Sequence, residues 1–144
     1  MLRYGSAVVI CKGNEVLLVR HGDKSRHLTG VYTLPSGEKE LYDHDFEDTA
    51  VREVREETGL EITRQSLSRL GHFDSIVERK RGEESVSLYL YTCDSFTGEL
   101  KKQNETEPVW VEIAGVLSGK YPMPRMSGNL SHVVNEHLRN HLKK

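Results

Sequence analysis

The chain has 144 residues, 29% of them charged and 36% hydrophobic, with a net charge of −2. This is length enough for one domain with a real core, and a single domain over residues 1–144 is expected. The charge balance makes no electrostatic case for duplex nucleic acid or a membrane as partner, and no apolar run approaches the roughly 18 residues of a membrane span.

Ser6–Cys11 (S-A-V-V-I-C) reads as a buried strand, Lys12–Asn14 as a turn and Glu15–Arg20 as the return strand of a hairpin. Ala7–Cys11 is too short for a signal-peptide core. His21 to Thr29 is polar and reads as loop, and Val31–Leu34 as a short strand ending at Pro35-Ser36-Gly37. A helix follows. Asp45 can cap it, with Asp48 three residues on in a loose capping box. Residues 46 to 58 lack Gly and Pro, and Gly59 stands at the C-cap position. Phe46, Ala50 and Val54 form its inward row. Leu67–Glu78 and Ser85–Cys93 read as strands, and the charged run Arg79–Glu84 between them as a solvated hairpin tip. Thr97-Gly98 is a turn and Pro108–Ile113 a last strand. Ser118–Gly128 is loop. Leu130–Leu142 is an amphipathic helix with Leu130, Val134, Leu138 and Leu142 on one stripe, and Lys143 and Lys144 suit its dipole. Cys11 and Cys93 both fall in strand-like runs and read as buried free thiols of a reducing compartment, hence a cytoplasmic location. The order β-β-β-α-β-β-β-α predicts a mixed sheet packed with helices.

The helix carries the chemistry. At about 100° per residue, Glu53, Glu56 and Glu57 fall within an arc of roughly 100°. Like charges four apart cost about 0.2–0.5 kcal/mol per pair, and Arg52 and Arg55 cannot neutralise all three. A hard divalent cation with oxygen ligands can. No P-loop, nucleophile elbow or Cys/His cluster is present.

Arg52-Glu53-Val54-x-Glu56-Glu57-x-Gly59-Leu60 resembles the second half of the Nudix box, G-x5-E-x7-R-E-U-x-E-E-x-G-U with U a bulky aliphatic residue. Gly30-x-Tyr32-x-Leu34-Pro35-Ser36-Gly37 looks like that family's lead-in, with Tyr32 where Trp is common. The first half departs from the pattern. Counted back from Arg52, the box glutamate falls on His44 and the box glycine on Glu38, one past Gly37. The loop thus carries an extra residue, with Asp43, Asp45 and Glu47 as possible replacements for the early glutamate.

The resemblance implies the Nudix fold, an α/β/α sandwich with a mixed sheet between helices. It also implies a metal-dependent pyrophosphohydrolase cleaving the diphosphate of a nucleoside diphosphate linked to X, of the nucleoside triphosphate or nucleotide sugar type. The implied cofactor is Mg²⁺, with Mn²⁺ as substitute. Its ligands would be Glu53, Glu56, Glu57, the Gly37 carbonyl and an acid outside the box. Glu99, Glu105 and Glu107 are available, and Glu105 is preferred. Glu53 would activate water, Arg52 orient the glutamates, and Arg20 and Tyr32 lie on the substrate side. His72 is expected at the surface rather than stacked on a base. Family markers for ADP-ribose or dinucleoside polyphosphates would fall near Asp74, Ile76 and Val77, and neither is present. The partner expected is a small nucleotide; the sequence sets no oligomeric state. Two alternatives remain: a catalytically weak nucleotide-binding sensor or interaction module, favoured by the missing glutamate, and an isomerase of a diphosphate.

Overall fold

The computed structural model describes residues 2–22, 30–79, 82–103, 105–123 and 129–144, without the side chains of 77–79. Parts of three loop readings, at 23–29, 80–81 and 124–128, lie outside the described residues.

Strand β1 (Leu2–Lys12) is the centre of the sheet. Its run Ala7 to Ile10 has no polar residue and is buried on both faces. Such a strand needs a covering layer on each side. β7 (Gly82–Cys93) runs parallel to it from Leu2↔Ser85 to Ile10↔Cys93. β6 (Leu67–Arg79) pairs antiparallel with β7 on the outer side, with a register shift between Arg69 and Gly71.

On the other side of β1 the sheet splits. β2 (Glu15–His21) follows the expected turn, but it pairs with β1 only at Cys11↔Val16 and Lys12↔Glu15. The expected hairpin is therefore two residue pairs long. β3 (Tyr32–Thr33) takes the far end of the same edge of β2, at Val19 and Arg20, while β9 (Thr106–Glu112) takes the opposite edge along its whole length. Into the opening runs β4 (Ser36–Glu38), which pairs with Gly5–Ala7, while the Val8 N–H donates to the Pro35 carbonyl at 3.0 Å. The split thus brings Gly37 onto the central strand.

Alternate residues of the sheet feed two cores. Val8, Ile10, Leu17 and Tyr91 pack against Ala50 and Val54 of α1 (Phe46–Thr58). Ala7, Val9, Val16, Leu18 and Leu90 pack against Ile113 of α2 (Ile113–Leu117) and Leu130, Val134 and Leu138 of α3 (Leu130–Leu142). The result is helix, mixed sheet, helix: the expected α/β/α sandwich.

Local readings change as well. The expected tip Arg79–Glu84 narrows, since β6 runs to Arg79 and β7 begins at Gly82, and the last strand begins at Thr106, before the expected Pro108. β1 starts at Leu2, four residues before the expected strand. His21 ends β2 and is buried rather than in loop. Thr97–Gly98, expected as a turn, forms β8 and pairs with β5 (Leu60–Glu61). The last strand stops at Glu112, and Ile113 starts α2, because its side chain enters the α3-side core. Among the described residues, no helix is long and apolar enough to cross a membrane.

Both ends of α1 follow their sequence signals. Asp45 accepts from the Asp48 N–H at 2.9 Å, and Asp48 in return accepts from the N–H of His44 at 3.0 Å, one residue before the capping-box partner. Gly59 has φ 86°, and its N–H reaches the Arg55 carbonyl. A Cβ there would also lie 2.7 Å from the Glu99 carbonyl oxygen. Gly59→Ala should therefore cost at least about 1 kcal/mol of stability in a denaturant titration. An unchanged midpoint would mean the cap relaxes freely.

Candidate active site

Arg52 has five N–H donors, and all five are engaged. Nε and Nη2 form a fork on the Asp43 carboxylate at 3.1 and 2.8 Å. Nη2 also reaches the Glu38 carbonyl at 2.9 Å. Nη1 donates to Glu53 at 2.8 Å and Glu56 at 3.2 Å. One guanidinium thus ties together β4, the loop after it and two of the three helix glutamates. The pair is well shielded, with the Arg52 side chain 11% exposed and that of Asp43 4%.

Asp43 also accepts from the Thr49 hydroxyl and the Glu40 N–H, each at 3.0 Å. The Arg52 hydrogen bonds hold its carboxyl well below the usual range against the cost of burial. Counting forward from Gly37 with the box spacing reaches Asp43, not His44. The added residue then lies between Asp43 and Arg52. His44 is exposed, and its backbone N–H caps Asp48.

The three glutamates differ in surroundings. Glu57 accepts one hydrogen bond, from the Ser36 N–H at 2.7 Å. Burial pushes its carboxyl up to about 8, with Glu53 and Glu56 adding repulsion. Glu53 is also pushed up by burial, opposed by Arg52. Its carboxylate lies so close to Gly37 that a Cβ there would overlap it, which is why that position needs glycine. Glu56 is half exposed.

A desolvated carboxylate with one donor has lone pairs left unmet and favours a proton or a cation there. The donors are all oxygens, the set that suits Mg²⁺ or Mn²⁺ rather than zinc. Among the described residues, no three His, Cys, Asp or Glu side chains already surround one point at ligand distance. The fit to a hard cation therefore rests on donor chemistry and unmet lone pairs.

Beside this face a cavity of about 700 Å³ opens between the sheet and α3. Ser36, Gly37 and Glu57 belong to both. Its wall is apolar, with Ala7, Leu34, Val86, Leu88, Leu130 and Val134. Arg3 also lines it, and that side chain pairs with Glu38 at 3.1 Å and Glu84 at 3.4 Å. Volume and lining are those of a small-molecule site.

The NUDIX domain family model matches residues 1–127. The chain belongs to the Nudix family. It is a Nudix hydrolase, of the enzymes that in general cleave a nucleoside diphosphate linked to X. Its fold is similar to solved MutT proteins. That of Methanosarcina mazei Go1 is 20% identical, with 99% of this chain and 96% of that chain covered and a TM-score of 0.69. That of Bacillus halodurans is 21% identical, with 99% and 83% covered and a TM-score of 0.69. The NUDIX domain of Shewanella oneidensis NrtR, solved with ADP ribose, is 19% identical, with 99% and 88% covered and a TM-score of 0.64. No curated protein matches the chain at a significant level.

In this Nudix chain the other candidates lie as follows. Arg20 stands on β2 opposite Tyr32 and Glu107, with its guanidinium 3.9 Å from the Glu107 carboxylate. The Tyr32 ring packs edge-on against Tyr121 of the cavity wall, centroids 5.2 Å apart. Glu99 and Glu105 are exposed, and the Glu105 carbonyl accepts from the Gly22 N–H at 2.8 Å. His72 stacks on Tyr89 at 4.3 Å and bonds the Ser87 hydroxyl. The cavity and its α3 side were not foreseen, since the stripe of α3 reads equally as core. The pairing of Asp43 with Arg52 was open to sequence reasoning by counting from Gly37.

The Glu57 carboxyl gives a pH prediction. Its folded pKa lies above the ordinary value of 4.5, so the folded state holds a proton that the unfolded state has lost. Stability without divalent cations should then fall as pH rises from about 4.5 to about 8. Thermal unfolding in EDTA across this range should show the decline, and Glu57→Gln should flatten it. A wild-type profile as flat as that of the variant would mean Glu57 is solvated.

Proposed function

We propose that this hydrolase cleaves the diphosphate of nucleoside triphosphates or nucleotide sugars by direct attack of water, with Mg²⁺ as cofactor and Mn²⁺ as substitute. The observation that carries this is the junction at Gly37 and Glu57. There a partly desolvated acidic face borders an apolar cavity of about 700 Å³. The cavity suits a base or other uncharged group, and the acidic face suits a cation-masked diphosphate.

Glu53, Glu56, Glu57 and the Gly37 carbonyl would hold the cation, with Glu105 as a further ligand. Such a cation, when bound, supplies neutralisation of the diphosphate and stabilisation of the leaving phosphate. Glu53 takes the proton of the attacking water: Arg52 occupies its Oε1, and burial raises its proton affinity. Arg52 is a positioning residue, since its five donors are committed to protein. Arg20 and Tyr32 flank the substrate path. A small nucleotide is the partner in a single cytoplasmic domain, in keeping with a net charge of −2. The missing glutamate that favoured a weak binding module loses its force, because Asp43 supplies an acid to Arg52.

Glu56→Gln and Glu57→Gln should each lower turnover at least about a hundredfold, with the fold intact by circular dichroism. Near wild-type rates in both would reduce the face to a solvated surface. His44→Ala should change the rate less than about tenfold, a barrier change under roughly 1.4 kcal/mol. A larger loss would put His44 in the machinery. Hydrolysis in ¹⁸O-labelled water should label one product phosphate of a diphosphate substrate and leave monoesters uncut. No Mg²⁺-dependent cleavage across a broad panel of diphosphates would overturn the hydrolase reading.

A further inference from the structure

The cavity and the acidic face meet at Ser36, Gly37 and Glu57. Strand alternation in β4 separates what the first two offer. Gly37 stands opposite Ser6, and a Cβ on it would run into the Glu53 carboxylate on the α1 side of the sheet. Ser36 stands opposite Ala7, which belongs to the α3-side core, so its side chain is turned to the cavity. The Ser36 N–H, in contrast, donates to the Glu57 carboxylate at 2.7 Å. One residue thus holds an acid with its backbone and offers a hydroxyl to the apolar wall.

That hydroxyl is not committed elsewhere. Among the described residues no hydrogen bond engages it. The Thr33 hydroxyl, also in the cavity lining, shares a hydrogen bond with the His21 ring at 3.0 Å. Ser36 is partly buried, so water serves its hydroxyl incompletely.

A nucleotide spans this junction by its covalent order, with the sugar between base and phosphates. With the diphosphate on the acidic face and the base against the apolar wall, the sugar falls where Ser36, Gly37 and Glu57 meet. Gly37 brings no side chain, and the Glu57 carboxylate is assigned to the cation. The Ser36 hydroxyl is left to meet the sugar, and it can both donate and accept. It lies on the cavity side of the junction, and the 2′-hydroxyl is the sugar hydroxyl on the carbon next to the base.

We propose that Ser36 reads the 2′-hydroxyl, and that the favoured substrates are ribonucleotides rather than 2′-deoxyribonucleotides. This rests on the hydrolase reading above.

The test holds base and phosphates constant and varies one hydroxyl. Wild type, assayed with Mg²⁺ on ATP and dATP, GTP and dGTP, CTP and dCTP, and UTP and dUTP, should show the higher kcat/KM on the ribonucleotide of each pair it cleaves. In Ser36→Ala that ratio should fall at least about threefold, the size of one hydrogen bond to a neutral group. A purely structural role for Ser36 would lower both values together. A wild-type ratio near one or favouring the deoxy compound, or a ratio unmoved in Ser36→Ala, overturns the proposal. If wild type cleaves no triphosphate, the triphosphate part of the hydrolase reading fails independently. Calorimetric titration with the same pairs and Mg²⁺ then decides: tighter binding of the ribonucleotide that is lost in Ser36→Ala supports the proposal, and equal or absent binding overturns it.

Discussion

The five donors of Arg52 are the constraint on which the site depends. A guanidinium is planar, always charged and rigid in its fork, so satisfying all its donors fixes every acceptor relative to the others. Here the acceptors come from β4, the turn after it and the helix itself. A lysine would supply a point charge and no such geometry. Because Asp43 takes the fork, the loop is anchored despite a length one residue beyond the family spacing. Because Glu53 and Glu56 take the remaining arm, their mutual repulsion is partly met without a metal.

That bracket would be useless without the split between β1 and β2. Had the hairpin continued, Gly37 would have no place on the central strand. β3 takes the far end of the β2 edge that β1 leaves, and the opening along β1 admits Pro35 and β4. Gly5 and Gly37 then serve one contact, since a Cβ at Gly5 would overlap the Gly37 carbonyl and one at Gly37 would overlap Glu53. The close approach of sheet and helix at the site is therefore a property of two glycines.

Electrostatics divides the acids by environment rather than by type. Asp43, paired with Arg52, is driven toward the charged form. Glu57, with one backbone donor and heavy burial, is driven toward the proton. Glu47 is held charged against its burial by the Tyr91 hydroxyl and Arg69, on the far side of the same helix. Of the three helix glutamates, Glu57 has no basic partner among the described residues, and it lines the cavity, which is where a cation from solution has most to gain.

The sequence by itself determined α1 from cap to cap, because Asp45, the Gly-free run and Gly59 are local signals that need no partner. It also determined that Glu53, Glu56 and Glu57 share a face, because helical periodicity is local, and that Leu130, Val134 and Leu138 of α3 share a buried stripe, although Leu142, expected on it, is exposed. The seven matched positions of the box carried the family. Tertiary structure decided the rest. That β2 leaves β1 after two residue pairs was decided by segments distant in sequence, β3 and β4, which take up the rest of the two facing edges. Burial of His21 and the helical turn at Ile113 depended on what packed over them. Asp43 against Arg52 was within reach by counting, but its fork geometry and shielding were not. The cavity arose only when α3 closed over the sheet, since its apolar wall has the same composition as core, and volume is a property of packing that no local pattern encodes.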